Sequence, residues 1–580
     1  MNGRLAVLLT AVGLVLAGCA SIPGDTLPQK VYLGGGGNAP AAVAQPPHDA
    51  SALTIVRGFV NSSGDATGGH AAARVYLTDA AQKTWGTTTT AQTVNIILTT
   101  FNTTGPVFDG ANSATVTLQG HLVGTVGPYG GFTPADLSQA TDYGVQIHLR
   151  RQSDGQWRID QPPPALLLKT DDFDRYYRPV SVYFFDPTWD VLVPDQRYVI
   201  ADPPDGVAAR IVQLLLDGPS DSLKGAVQNA IPGDASLQTN VVVQPTGEII
   251  VNFKRMQDQP SNVKQLMIAQ IVRSLQNYGS GVAVQSEAQQ LVPGHLDWRS
   301  SDLPAYEIYI GPKATPLVTS HGKVLTVTTG VPIKGPAGDG TYNVVTAAES
   351  GDGTELATVT AEPGGGETLR IGGLNAAAVP VKGLTSSQFT RPSWTPSDSA
   401  GDPSRSLWTV ADGTVLRVVN TPQGSWAASP VDVSALSADG PITDLRLSRD
   451  GVRVAVVAGG ALFVGAVVVD QGSVSIRQVR QLQPGILTDV TRVDWLAQDQ
   501  LVVSTSGVNT PVLTVGVDGR KWEQYTSANL ASSVTDIAAA DGQPVLAVDA
   551  AGLWESSDTN EAWQQVQHPQ SAGAVPFYPG

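Results

Sequence analysis

The chain carries a single thiol, Cys19, and seven histidines placed singly at 48, 70, 121, 148, 295, 321 and 568, so chemistry has few owners here. A lone cysteine makes no internal disulfide, no CxxC redox pair and no thiolate-rich zinc site. Ser261-Asn-Val-Lys264 fits the S-x-x-K pattern that sets a serine nucleophile one helical turn before its lysine, but the partner motifs S-D-N and K-T-G are absent. Ser261 is better read as a helix cap. His295-Leu-Asp297 could bind a metal only with ligands brought from elsewhere, and a solvated loop accounts for it equally well. HExxH, GxSxG, Walker and calcium-loop patterns do not occur. The expectation is therefore no enzyme: no catalytic residue, no cofactor and no metal.

Cys19 is different, because its flanks assign it a chemistry. Arg4 is followed by the apolar run Leu5–Ala17 and then by Leu16-Ala17-Gly18-Cys19, a lipobox. As a helix that run spans about 20 Å, short of the roughly 30 Å hydrocarbon core, so it is a signal h-region and not a membrane span. The expectation is a signal peptide over 1–18, cleavage before Cys19, and Cys19 as an N-palmitoyl, S-diacylglycerol cysteine. That puts the protein on the extracytoplasmic face of the cell membrane, held by lipid. Acyl chains contribute ~0.8 kcal/mol per buried CH₂, and two or more suffice for stable attachment.

What the anchor holds is large and acidic. The 580 residues include 51 Asp and Glu against 35 Lys and Arg, a net charge of −16. This is the wrong sign for binding phosphate backbones, and nucleic acid is excluded as a partner. No later apolar run is long enough to span a bilayer. Residues 19–50, with Gly34-Gly35-Gly36-Gly37 and five prolines, form a flexible tether.

Residues 51–165 begin with helical spacing: Asp49 or Ser51 caps Leu53, Val56, Phe59 and Val60, and a second helix is expected at Ala71–Thr78. Strand-like alternation follows at Thr93–Leu98, Thr115–Val126, Tyr143–Arg151 and Gln156–Ile159, so this is an α+β domain. Its order and its closing Gly-Gln-Trp-Arg-Ile resemble small NTF2-like folds, which often have a pocket. His121 and His148 could line one, although isolated histidines on alternating strands are more often simply hydrogen-bonded.

Beyond Gln161-Pro162-Pro163-Pro164, a buried strand Val180–Phe185 precedes helices at Val207–Leu216 and from Ser261 or Asn262 to Leu275, with a hairpin at Pro245-Thr246-Gly247 and further strands at Val282–Val284 and Tyr306–Ile310. Val182-Tyr-Phe-Phe, Leu215-Leu-Asp-Gly-Pro219, Ile231-Pro-Gly, Glu248-Ile-Ile-Val-Asn-Phe and Gln270-Ile-Val-Arg-Ser-Leu275 resemble the GerMN domain, an extracytoplasmic interaction module with no known chemistry. The match covers 178–312.

From 323 to 580 short strands alternate with Asp-Gly, Gly-Gly and Pro breaks. One phrase recurs, Ile442-Thr-Asp-Leu-Arg-Leu447, Val490-Thr-Arg-Val-Asp-Trp495 and Val534-Thr-Asp-Ile-Ala538, its threonines 48 and 44 residues apart. That period predicts a β-propeller of five to six blades, with Trp394, Trp408, Trp495 and Trp554 wedged between them. The fold class is then multidomain: two α+β domains followed by an all-β propeller.

Lipobox, tether, α+β domain, GerMN-like domain and propeller in this order resemble the LpqB family of envelope lipoproteins. The resemblance implies an accessory that contacts the extracellular domain of a sensor histidine kinase, MtrB of the MtrAB type, and regulates cell-wall homeostasis and division. The alternative is a peptidoglycan- or glycan-binding envelope sensor without kinase contact, which should display exposed Trp or Tyr rimmed by Asp and Asn.

Overall fold

The computed structural model describes residues 43–85, 94–97, 101–136, 142–204, 206–303, 306, 315–396, 405–507, 509–531, 533–568 and 573–580. Cys19, the signal segment, most of the tether, the ends of the strand expected at Thr93–Leu98 and all but Tyr306 of the strand expected at Tyr306–Ile310 lie outside the described residues. Gln45–Gly580 form one compact unit.

In the first domain Ser51 caps the helix Ala52–Ser62, its hydroxyl accepting from Thr54 N at 3.2 Å. Ile55, Val56, Phe59 and Val60 pack into the core, while Leu53 stays half-buried at its edge. The second helix is a correction. It runs Thr67–Arg74, not Ala71–Thr78, and residues 68–70 adopt left-handed φ angles. It stops at Arg74 because Leu77 is buried and bridges Ile159, while Thr78 caps a third helix, Asp79–Thr84, accepting from Ala81 N. Tertiary burial overrides helix propensity there.

The sheet is organised by one 14-residue strand, Ser113–Val126, which pairs antiparallel with Asp142–Arg151, Asn102–Phe108, Val94–Ile97 and Phe132–Pro134. Ala114, Val116 and Leu118 alternate into the core opposite Leu149, Ile147 and Val145. Leu166–Lys169 then runs parallel to Val94–Ile97 at the far edge.

The second domain holds the hairpin Tyr177–Phe185/Leu192–Ile200 and a four-stranded sheet in which Glu248–Phe253 and Gly281–Ser286 are parallel, joined through the helix Ser261–Leu275. The other helix, Gly206–Asp217, ends where Gly218 takes φ 90° and its N–H returns to Leu214 O, as Asp-Gly-Pro predicts.

Six sheets then form the propeller. Five are four-stranded and follow one another in sequence; the remaining one joins Leu317–Ser320 and Lys323–Thr326 to the C-terminal strand Val575–Phe577. That pairing of first and last strands closes the ring. The recurring phrase supplies the innermost strands Ile442–Leu447, Val490–Ala497 and Asp536–Ala538. Trp394, Trp408 and Trp495 are buried between blades; Trp394 Nε1 donates to Ala348 O and Trp495 Nε1 to Arg446 O, each in the preceding blade. Trp554 is half-buried and donates to Asp549 within its own blade.

Candidate functional site

The residues singled out for chemistry do not converge. Ser261 is not a cap: Pro260 holds that position, and Ser261 is the exposed first residue of the helix with no capping bond. Pro260 takes the non-helical cap geometry, φ −55° and ψ 148°, and its carbonyl accepts the first helical bond from Lys264 N at 3.0 Å. Lys264 turns its ammonium to Gln257 O at 2.6 Å. His295 stacks on Trp298, its ring 3.7 Å away, while Asp297 pairs with Arg299. Among the described residues no His, Cys, Asp or Glu cluster could hold a metal. His121 lies opposite Asp142, and His148 bonds Thr115 Oγ1 at 3.0 Å. Six positions of one strand, ~20 Å, separate the two histidine sites.

Charge instead gathers on the propeller axis. Counted from the threonine of the recurring phrase, the first and third positions alternate inward and carry Asp444, Arg446, Arg492, Asp494 and Asp536. Arg391 joins them, donating through Nη2 to Asp494 Oδ2 at 2.7 Å and through Nη1 to Pro576 O at 2.6 Å. Arg449 donates to Trp495 O and Ala539 O, and Arg446 pairs with Asp444 at 3.0 Å. Burial works against the charged form of Arg391, but Asp494, Asp536 and Asp444 outweigh it and hold the guanidinium's pKa above its ordinary value. Burial likewise works against ionised Asp494, and Arg391, Arg449 and Arg446 reverse it, leaving its pKa lowered. The space left there is about 10 Å³, about one water. This network cross-links blades around that space.

Glu349, buried where the second blade meets the axis, is less well served. Burial, reinforced by Asp352, pushes its pKa up from 4.5 to about 7. The folded state thus binds this proton more tightly than the unfolded chain. Stability is retained below pH 4.5 and is lost as pH rises to about 7, by an amount on the order of 3 kcal/mol. Glu349→Gln is expected to raise the urea-unfolding free energy by about 2–3 kcal/mol at pH 8 and to change it little at pH 4. An equal effect at both pH values would refute this assignment.

The three modules meet at a polar junction that sequence analysis missed. Arg197, wholly buried, donates to Asp195 Oδ2 at 2.7 Å, to Gly218 O at 3.0 Å and, in the first domain, to Tyr129 O at 2.6 Å. Tyr198, on the other face of the same strand, donates its hydroxyl to Asp518 in the propeller at 2.8 Å. Arg453 reaches Pro194 O, and Arg520 pairs with Asp174 and lies over the Phe173 ring at 4.6 Å. The loop carrying Gly130 comes so close that a Cβ there would sit 2.7 Å from Tyr198 O. Val452 and Ala466 of the propeller are even part of the second domain's core. The available signal was Asp195-Gln-Arg197, two opposite charges two apart on an otherwise apolar strand, which share a buried face.

Two clefts open at this junction. One, of about 430 Å³, lies between the first two domains and is lined by His70, Arg74, Trp85, Tyr177, Arg210 and Asp217 together with apolar side chains. His70 stands edge-on to Trp85, and burial lowers its pKa, which favours the neutral imidazole; burial pushes Tyr177 up to about 12. The other, of about 450 Å³, is bounded by all three modules: the 125–133 segment, the 217–224 segment, and Arg453, Arg480 and Asp518 of the propeller.

Three family models match the chain: "Lipoprotein LpqB, N-terminal domain" over 45–174, "Sporulation and spore germination" over 181–291, and "Lipoprotein LpqB beta-propeller domain" over 319–579. The Lipoprotein LpqB of Rhodococcus jostii is 28% identical over 604 residues, covering 99% of this chain and 97% of that protein. Its counterpart in Mycobacterium tuberculosis is 28% identical over 607 residues, covering 100% and 99%. Among solved structures, the first GerMN domain of the sporulation protein GerM from Bacillus subtilis is 17% identical and covers 22% of this chain and 99% of that one, with a TM-score of 0.19.

Proposed function

The chain belongs to the LpqB family of envelope lipoproteins, and from that membership we propose that it is a membrane-anchored, extracytoplasmic accessory of a sensor histidine kinase of the MtrAB type, tuning signals for cell-wall homeostasis and division. The lipidated Cys19 is its anchor. Among the described residues no helix is long and apolar enough to cross a membrane.

The observation that carries this reading is the fusion of three modules into one compact unit through buried, hydrogen-bonded arginines, with no catalytic constellation among the described residues. Such a body has a fixed surface to offer a partner. Confinement of both proteins to one membrane raises their effective concentration toward the millimolar range, so even a weak contact is populated.

The test is binding of soluble residues 20–580 to the purified extracellular domain of the kinase. A dissociation constant on the order of 1–100 μM is expected, the range of transient signalling contacts. No saturable binding at millimolar concentration would sink the proposal.

A further inference from the structure

We propose that the cleft between the three modules is a glycan-binding site, taking about two to three sugar rings of a neutral or zwitterionic oligosaccharide. This goes beyond the kinase reading and does not rest on it. A sugar hydroxyl donates one hydrogen bond and accepts others, so a glycan site needs donors and acceptors interleaved over a short distance. This cleft has that composition. Lys224 supplies a cationic donor, Asp221 a carboxylate acceptor and Ser222 a hydroxyl that can act as either, while Arg453, Asp217 and Asp518 behind them are bonded within the protein. A simple anion would meet three carboxylates, and an acyl chain would meet charge on every side.

Two of these groups are uncommitted: neither Lys224 nor Asp221 has a side-chain hydrogen bond or ion pair with any described residue, whereas Arg480 donates through Nη2 to Val517 O. The acids and bases closest to the domain contacts are already engaged: Asp195 by Arg197 and Ser220, Asp518 by Tyr198. The cleft therefore separates a wall that holds the modules together from a rim left open to a ligand.

At that rim stands Tyr129, 56% exposed, an aromatic face of the kind on which the C–H side of a pyranose ring packs. Its position is set from below, since its backbone carbonyl accepts from the buried Arg197. The backbone bond survives truncation of the ring, so Tyr129→Ala removes the platform without loosening the junction. A bound glycan would touch all three modules at once.

The experiment is calorimetric titration of the soluble protein, residues 20–580, with a panel of chitotriose, maltotriose, galactotriose and arabinotriose, alongside inorganic phosphate and palmitate. At least one trisaccharide is expected to bind with a dissociation constant of millimolar or better. Tyr129→Ala should weaken it about tenfold, the double variant Asp221→Ala/Lys224→Ala should weaken it comparably, and the melting temperatures of both variants should match the parent. The proposal is overturned if no trisaccharide binds at 10-fold above about 1 mM, if Tyr129→Ala binds as tightly as the parent, or if phosphate or palmitate alone occupies the protein. Any of these outcomes leaves the kinase reading standing, because that contact is measured separately.

Discussion

Arg391→Ala is expected to cost the propeller about 3–5 kcal/mol of unfolding free energy, the range for removing one partner of a buried ion pair. The loss comes mainly from what is left behind. Asp494 is buried at the axis, and its Oδ2 accepts from Arg391 at 2.7 Å and from Ala539 N at 3.1 Å. Without the guanidinium, the largest of the charges that offset that carboxylate's desolvation is gone, leaving Arg449 and Arg446. The same substitution strips a donor from Pro576 O, in the segment that closes the ring, and from Ile537 O in the last blade. Replacing both charges, as in Arg391→Met/Asp494→Leu, should cost less than the sum of the two single changes, since the pair is removed together, although buried Arg449 then loses its leading counter-charge. Chemical denaturation of the four proteins of this cycle measures the coupling. A single-variant loss under about 1 kcal/mol would mean the axial network is solvated and not a blade lock.

Cys19→Ala should have the largest effect in cells. The protein is expected to leave the membrane fraction and, secreted at equal level, to fail to complement a deletion. One acyl chain binds bilayers only marginally and two bind stably, so deleting the thiol proposed to carry them should remove the whole anchoring energy. The partner contact then has to form from dilute solution, and for a micromolar-to-millimolar interaction the occupancy should fall on the order of 100-fold. Attaching the Cys19→Ala protein to the membrane by an unrelated lipoprotein signal should restore function. Full complementation by the secreted form would show that confinement is irrelevant to its action.

Much of the architecture was legible locally. Ser51 before an apolar helical spacing, Asp217-Gly218-Pro219 after another, and Ser153-Asp154-Gly155 between two alternating strands each constrain a handful of neighbouring dihedrals, and the structure has a helix start, a helix stop and a hairpin there. The recurring phrase marked the inner strands of the propeller for the same reason. The failures were also local in origin. Ser261 lost the cap to Pro260, and the second helix stopped at Arg74 because Leu77 had a strand to join.

The candidate sites were not legible, and particular residues explain this. Arg197, Tyr198, Arg453 and Asp518 are ordinary polar residues on strands and turns until three modules bring them together across as many as 320 positions of chain. The charges of the phrase at Asp444, Arg446, Arg492 and Asp494 look solvent-facing in sequence, because alternation gives two faces and does not say which one is dry. The amino-acid order by itself determined most of the elements, the module order and the blade period. Tertiary structure alone decided the six-blade closure by Val575–Phe577 on Leu317–Ser320, the fusion of the modules and the clefts between them. Local patterns arise from dihedral and burial preferances acting over a few residues, whereas closure and junctions depend on contacts whose partners lie hundreds of residues apart and become neighbours only when the chain has folded.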